Sequence, residues 1–192
     1  MKQLNICIDI DGTITDPYYY LDISNRYFNK NITPKQVTQY SLDKVYGVDE
    51  EEFDLFYKKH KFDLHENQAI RSDAKKILDK LAVDNNLYFV SARDNSMKLL
   101  TITYLQKNKI PYDALYLLGS HYKLEKAKEL SCDFFIEDSY DNALYLADNG
   151  FKVVLLDTYY NRGHERDNIF RAQNWQEVWN IIEENALEKK VV

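Results

Sequence analysis

The sequence predicts an α/β fold, in which a parallel sheet carries helices on both faces and a small helical insertion follows the first strand. Three observations predict it. Short apolar, β-favouring runs alternate with segments of helical periodicity along the second half of the 192-residue chain. A similar run near the N-terminus ends in two carboxylates, and the interval after it is too long for a single crossover. The expected sheet is therefore Rossmann-like, with ligands at the carboxyl ends of its strands.

The first strand is predicted within Leu4–Thr13 (LNICIDIDGT), whose apolar residues are typical of a buried strand. Asp9 and Asp11 are two residues apart, so their side chains point to the same side, with Cα atoms roughly 6–7 Å apart. Two like charges at the end of an apolar strand repel and lose hydration, and a cation is the simplest compensation. Gly12 allows the backbone to turn sharply and to approach a substrate closely.

The remaining strands and helices are predicted in alternation along the chain. Strands are expected at 86–90, 114–118, 133–136 and 151–156. Helices are expected at 74–82, at 122–130, from the N-cap Ser139 to 149–150, and in a closing segment with Trp175, Val178, Trp179 and Ile182 at i, i+3, i+4, i+7 spacing.

The segment 15–68 interrupts this rhythm. About 80 residues separate Asp11 from Ser91, whereas a βαβ unit takes roughly 30–40. The surplus has few β-type runs and is predicted to form helices at 19–29, 34–39 and 49–59. Because it follows the strand with the two carboxylates, we expect a helical cap domain (15–68) above a core domain formed by 1–14 and 69–192.

Composition excludes some classes of partner. The chain has 31 acidic and 25 basic residues, a net charge of −6 and no basic run, so nucleic-acid polymers and membranes are disfavoured. Cys7 and Cys132 lie in or beside predicted strands and show no disulfide or metal pattern. The sequence shows no signal peptide and no long apolar span, so a cytoplasmic, reducing location is expected. The protein is expected to be a monomer or a homodimer.

A hydroxyl group follows the second predicted strand. In Ser91-Ala92-Arg93, the Ser91 hydroxyl and the backbone N–H groups of the following turn suit a phosphoryl oxygen. Alone, a serine in this place is more often a turn or cap residue. Arg93 either adds a second phosphate contact or forms a surface salt bridge.

Asp-Ile-Asp-Gly-Thr at 9–13 resembles the first motif of the haloacid dehalogenase-like (HAD-like) superfamily, mostly Mg²⁺-dependent phosphatases. The resemblance implies a HAD-like fold, attack on phosphorus by Asp9, and proton transfer to and from the leaving group by Asp11. The residue chemistry agrees, since one carboxylate can form an aspartyl-phosphate intermediate while the other acts as acid and base. Ser91 resembles the second motif, which holds the phosphate.

Glu137 and Asp138 end another apolar run and resemble the fourth motif of the superfamily, whose Asp binds Mg²⁺. The resemblance implies Mg²⁺ as cofactor, with Asp9, the backbone carbonyl of Asp11 and Asp138 as inner ligands. Glu137 is expected to be a nearby or water-mediated ligand.

The third motif of the superfamily implies a lysine that neutralises the nucleophile and the phosphate. Three lysines lie in the expected segment. Lys123 is preferred because it opens the helix nearest the preceding strand end, while Lys126 and Lys128 remain alternatives as charges on the solvent side.

A closer resemblance narrows the substrate. Tyr160–Arg162, followed by the tryptophan-containing segment 174–179, is similar to the 5′(3′)-deoxyribonucleotidase family (cytosolic type C), as is the position of the small cap. It covers nearly the whole chain and implies release of phosphate from (deoxy)nucleoside monophosphates. Asn161, Arg162 and His164 are expected in a long loop, either reaching the site or solvated.

Aromatic residues crowd the predicted cap, and they either stack on a nucleobase or fill a small core. Tyr18 and its two neighbours are nearest the catalytic strand and are the candidates for substrate contact. The aromatic set is Tyr18, Tyr19, Tyr20, Tyr27, Phe28, Tyr40 and Tyr46.

Two other functions remain open at this stage. One is a sugar-phosphate phosphatase or phosphomutase of the same superfamily, since a Glu-Asp-Ser sequence at 137–139 is compatible with a mutase. The other is a catalytically silent phosphate-binding protein, which the presence of Asp9, Asp11, Ser91 and Asp138 argues against.

Overall fold

The computed structural model describes residues 4–163 and 166–188, in which six strands form one sheet. The strands are β1 (Asn5–Ile8), β2 (Asn86–Ser91), β3 (Ala114–Leu117), β4 (Phe134–Glu137), β5 (Lys152–Leu156) and β6 (Ile169–Ala172). They lie in the order β3-β2-β1-β4-β5-β6, and every neighbouring pair is parallel. The predicted parallel α/β sheet is confirmed.

Strand β1 lies inside the sheet, between β2 and β4. Ile6, Cys7 and Ile8 are fully buried, as expected for an uninterrupted apolar run with helices on both faces. From β1 the chain builds outward through β2 and β3, then returns to add β4, β5 and β6 on the other side. The strand order therefore reverses between β1 and β4, and such reversals open a crevice for ligands at the carboxyl ends of the strands.

Two layers of helices cover the sheet. These helices are α4 (Ala74–Asp84), α5 (Lys98–Lys107), α6 (Leu124–Glu129), α7 (Tyr140–Asp148) and α8 (Trp175–Glu188). Ile6 and Ile8 belong to a cluster with residues of α4, α5 and α8, whereas Cys7 packs with residues of α6 and α7, because side chains alternate along a strand. Within the described residues no helix is both long and apolar enough to cross a bilayer.

The segment 15–68, called the insertion below, forms α1 (Leu21–Phe28), α2 (Leu42–Tyr46) and α3 (Glu50–Glu66). Asp49 caps α3 by accepting a hydrogen bond from the Glu52 N–H at 2.7 Å. A separate apolar cluster holds the insertion together: Tyr20, Leu21, Val37, Tyr46, Phe56 and Leu64 are its buried members.

The two ends of the insertion run side by side. Thr15 and Ile70 form an antiparallel bridge. The Asp16 N–H donates to the Ala69 carbonyl at 2.8 Å, and the Arg71 N–H donates to the Ile14 carbonyl at 2.9 Å. The chain therefore leaves the core and returns to it at one place.

Some elements differ from the expectations. Helix α3 continues to Glu66, beyond the predicted end at 59, because its contacts with α5 support a helix that propensity alone does not extend. The predicted helix at 34–39 is only a 3-10 turn, Pro34–Gln36. Helices α2 and α5 and the edge strand β6 were not predicted, and β6 lies within the expected long loop.

The expectation that the cysteines form no disulfide is wrong, because Cys7 and Cys132 are bonded, with Cα atoms 6.1 Å apart. They are 125 residues apart in sequence, and the parallel pairing of β1 with β4 brings them together. A spacing pattern does not reveal such a long-range pair.

Trp175 is fully buried and donates its Nε1–H to the Thr13 carbonyl at 3.2 Å, so its replacement should destabilise the fold strongly. We expect Trp175→Ala to lower the free energy of unfolding by about 3–5 kcal/mol, through lost burial and the cavity left behind. Urea denaturation measures this. Leu99→Ala is the control, because Leu99 is 77% exposed and should change stability by less than about 0.5 kcal/mol. Equal effects of the two substitutions would contradict the expectation.

Candidate active site

Asp9 and Asp11 follow β1 directly, at the carboxyl edge of the sheet. The Asp9 N–H continues the ladder by donating to the Ile136 carbonyl at 3.0 Å. The backbone then turns at Gly12, whose φ of +79° lies in the left-handed region that glycine favours. Both carboxylates line a cavity of about 350 Å³ between the sheet edge and the insertion.

Lys123 joins two of the buried carboxylates. It immediately precedes α6, and its Nζ donates to Asp9 Oδ1 and to Glu137 Oε1, the latter at 2.6 Å. Burial alone would lower the pKa of Lys123, but the charges of Asp9 and then Glu137 outweigh it and raise the pKa. Lys126 and Lys128 lie away from the site and pair with glutamates of their own helix.

Asp138 is held from two sides. Thr13 Oγ1 donates to its Oδ1 at 3.2 Å, and the Tyr160 hydroxyl donates to its Oδ2. The neighbouring carboxylate of Glu137 accepts hydrogen bonds from the Asp138 N–H at 3.0 Å and from Asn142 Nδ2 at 3.0 Å. These contacts fix the carboxyl end of β4 against the turn that follows β1.

Asp9, Glu137 and Asp138 form a cluster able to hold a metal ion. All three are buried, and each offers an oxygen atom within 4.8 Å of the others. Burial raises the pKa of Asp9 well above its ordinary value, against the opposing effect of Lys123. Burial, and then the charge of Glu137, raises the pKa of Asp138 to about 7. Such a group of buried carboxylates calls for more positive charge, and its oxygen atoms suit a hard divalent cation.

Asp11 is surrounded by hydrogen-bond donors. Arg93 donates from Nε to Oδ2 at 2.8 Å and from Nη2 to Oδ1 at 2.7 Å, while His65 Nδ1 and Gln68 Nε2 lie 3.0 and 2.8 Å from Oδ1. Burial alone would raise the pKa of Asp11, but Arg93 and then His65 outweigh it and hold the pKa well below its ordinary value. Asp11 is therefore a carboxylate in this state.

The Ser91–Arg93 segment lies beside Asp11, and all three residues line the cavity. The Ser91 hydroxyl accepts a hydrogen bond from the Arg93 N–H at 3.2 Å. Arg93, expected at a phosphate or in a surface pair, is instead buried, because its guanidinium pairs with Asp11 and also donates to Thr101.

Several residues expected at the site are engaged elsewhere. Tyr18 is not among the cavity-lining residues, since its hydroxyl accepts a hydrogen bond from the Tyr159 N–H at 2.9 Å. Asn161 donates to the carbonyls of Asp138 and Leu156, and Arg162 pairs with Asp157. His164 lies outside the described residues.

The insertion contributes most of the aromatic lining of the cavity. Tyr46 and Phe28 pack inside the insertion, as the core-filling alternative expects. The aromatic residues that line the cavity are Tyr19, Tyr20, Tyr40, Phe53, Phe56, Tyr57 and Tyr160.

Sequence reasoning missed three contacts at the site. His65 and Gln68 approach Asp11 from the end of the insertion, where no motif marks them, and Tyr160 was noted only as part of a tail pattern. Polar residues near the end of the insertion could have been identified as candidates for the site. The chain passes the carboxyl edge of the sheet where it returns from the insertion to the core.

Comparison with known proteins identifies the family. The model of the family "5′ nucleotidase, deoxy (Pyrimidine), cytosolic type C" matches residues 2–190. The chain belongs to this family. It is therefore a phosphatase of the nucleotidase type, and the expected HAD-like fold is confirmed.

One relative of this nucleotidase is similar to it in sequence, and two solved structures are similar to it in fold. Nucleotidase CA_C3379 of Clostridium acetobutylicum is 52% identical over 183 residues, covering 95% of each chain. The haloacid dehalogenase-like protein SP0104 of Streptococcus pneumoniae superposes with a TM-score of 0.71 at 13% identity, over 94% of this chain and 98% of its own. YfnB of Bacillus subtilis, described as a HAD-hydrolase and solved with magnesium bound, has a TM-score of 0.62 at 14% identity, over 95% of this chain and all of its own.

Gly12 provides a steric test of the site. A Cβ atom added there would lie 2.8 Å from Asp138 Cγ and 2.9 Å from the Tyr160 hydroxyl, so Asp138 would have to move. We expect Gly12→Ala to lower hydrolysis of p-nitrophenyl phosphate by at least about 100-fold, since displacements near 1 Å have such effects.

Gly47→Ala is the matched control. Gly47 also has a positive φ, +64°, but no atom lies within 4 Å of its added Cβ. Both variants carry the same backbone strain of roughly 1–2 kcal/mol, so only the contact with Asp138 distinguishes them. Similar activity in the two variants would contradict this account of the site.

Proposed function

We propose that this chain is a Mg²⁺-dependent phosphomonoesterase that releases phosphate from (deoxy)nucleoside monophosphates through an aspartyl-phosphate intermediate. The observation that carries the proposal is the placement of Asp9 beside Lys123 and Asp138, on the wall of a cavity that the Arg93-bound Asp11 also lines. The residues 15–68 act as a cap on a core of 1–14 and 69–192. The Clostridium acetobutylicum relative, which is named a nucleotidase, supports the choice of substrate.

The first step forms a bond between an Asp9 carboxylate oxygen and phosphorus, and breaks the bond from phosphorus to the substrate oxygen. Asp11 takes up a proton from solvent once the phosphate is bound and gives this proton to the leaving alkoxide. In the second step, Asp11 removes a proton from water, the water oxygen attacks phosphorus, and the aspartyl phosphate is cleaved. Lys123 stabilises the negative charge on Asp9 and on the phosphate in both steps.

Asp9, the Asp11 carbonyl and Asp138 are the residues that would hold Mg²⁺, with Glu137 beside them. Three buried carboxylates with one lysine in contact fit such a cation, and YfnB was solved with magnesium bound. Bound there, Mg²⁺ would supply positive charge to the phosphate and help to orient it.

Arg93 provides a route by which Asp11 changes from base to acid. Arg93 and Ser91 line the same cavity, and we expect a phosphate bound there to compete with Asp11 for the guanidinium. Partial loss of this donor raises the pKa of Asp11 toward the value that a proton donor needs. When the phosphate leaves, Asp11 releases to solvent the proton that it took from water, and the pair with Arg93 forms again.

The aromatic lining supports a nucleotide as substrate, because a flat base can stack on tyrosine and phenylalanine rings. A screen of purified chain against nucleoside monophosphates and sugar phosphates tests this. If sugar phosphates are turned over faster than nucleoside monophosphates, the proposed substrate class is wrong. We also propose a cytosolic location, which the family description supports.

Asp9→Asn tests the nucleophile and Mg²⁺ together. We expect activity on p-nitrophenyl phosphate to fall by more than about 10⁴-fold, because an amide oxygen cannot form the intermediate. EDTA should abolish wild-type activity, and added Mg²⁺ should restore it. Circular dichroism should show that the variant is folded. Turnover that persists in Asp9→Asn, or in EDTA, would exclude the proposed mechanism.

Asp11→Asn tests the acid. An amide cannot protonate an alkoxide, so kcat/KM for a nucleoside monophosphate should fall by about 10²–10⁴-fold. The value for p-nitrophenyl phosphate should fall far less, because its stable leaving group needs no proton. Steady-state kinetics on both substrates gives the comparison. If both values fall equally, Asp11 is not the acid.

A further inference from the structure

The last turn of α3 reaches into the site. His65 lies on this turn, is 2% exposed, and its Nδ1 is 3.0 Å from Asp11 Oδ1. A carboxylate only accepts hydrogen bonds, so the hydrogen in this contact belongs to Nδ1, and Gln68 Nε2, which is also 3.0 Å from Nδ1, donates to Asp11 rather than to the ring. In the neutral ring Nε2 is then an acceptor, and the Tyr57 hydroxyl lies 3.2 Å from it. Tyr19 packs against the same ring, with centroids 5.3 Å apart.

Other contacts fasten this end of the insertion to the core. Lys61, one turn earlier on α3, donates to Asp94 Oδ2 at 2.7 Å and to Ser96 Oγ at 2.8 Å. Gln68, just beyond α3, donates to Asp11 and accepts from Arg93 Nη2 at 2.9 Å. The insertion therefore contacts Asp11 at a defined place, through residues whose own positions are fixed.

We propose that His65 is a positioning residue for Asp11, which makes the insertion part of the proton-transfer machinery as well as a cover over the cavity. This inference rests on the function proposed above. His65 acts through its Nδ1–H, which holds Asp11 Oδ1, while Arg93 spans both oxygens. Without that donor the carboxyl group can turn away from the leaving-group oxygen.

The effect of such a residue depends on the leaving group. Positioned acids contribute about 10²–10⁴-fold to the transfer step, and loss of orientation removes part of that contribution. An alkoxide needs the proton most, phenolate less and p-nitrophenolate least. A residue that only stabilises the fold would affect all three substrates alike.

The test compares His65→Phe with His65→Asn. Phenylalanine keeps a ring between Tyr19 and Tyr57 but lacks the donor, whereas the asparagine amide nitrogen can occupy the place of Nδ1. The substrates are phenyl phosphate, p-nitrophenyl phosphate and the nucleoside monophosphate hydrolysed fastest in the screen. The quantity is kcat/KM, because it includes the transfer to Asp9 and excludes hydrolysis of the intermediate.

We expect His65→Phe to lower kcat/KM for the nucleotide by about 10–100-fold, for phenyl phosphate less, and for p-nitrophenyl phosphate by no more than about 3-fold. His65→Asn should recover most of the loss. His60→Phe is the matched control, since His60 lies on the same helix, packs on Phe56 and Tyr27, and does not contact Asp11 in the structure. It should leave the ratios unchanged.

Equal losses on all substrates, no loss in His65→Phe, or no recovery in His65→Asn would overturn the proposal. If His65→Phe does not fold, His65→Gln replaces it, because the glutamine amide nitrogen reaches toward the position of Nε2; asparagine should then be the more active variant. Failure of the wild-type chain to hydrolyse any of the phosphates would instead reject the proposed function.

Discussion

The buried contact of Lys123 with Asp9 and Glu137 is the interaction on which the site depends. Removing one charge from water costs several kcal/mol, and here a cation and two carboxylates are buried together. Each compensates the others only while the ends of β1 and β4 and the start of α6 keep their places. The same contact opposes the rise in the pKa of Asp9 that burial causes at the wall of the cavity.

The sheet holds the ends of β1 and β4 in these places. Because β1 and β4 are neighbours at the reversal of strand order, the residues after them meet without any long loop. Gly12 then allows the first turn to approach Asp138 more closely than any other residue would permit. The buried carboxylates thus lie at the ends of strands, while the insertion contributes most of the aromatic lining of the cavity.

Much of the fold and part of the site could be predicted from the sequence, since their signals are local. Asp9, Asp11, Glu137 and Asp138 each follow an apolar run, and parallel strands end at one edge. The pairing of Arg93 with Asp11, the approach of His65 and the Cys7–Cys132 bond were out of reach. They join residues far apart in the chain, through side-chain geometry that periodicity does not record.

The antiparallel bridge between Thr15 and Ile70 has a consequence for how the insertion can change in evolution. The chain leaves the sheet and returns to it at this bridge. The insertion can therefore become longer or shorter without changing the distance between β1 and β2. During such a change in length Asp9, Lys123, Glu137 and Asp138, which contact one another within the core, keep their places.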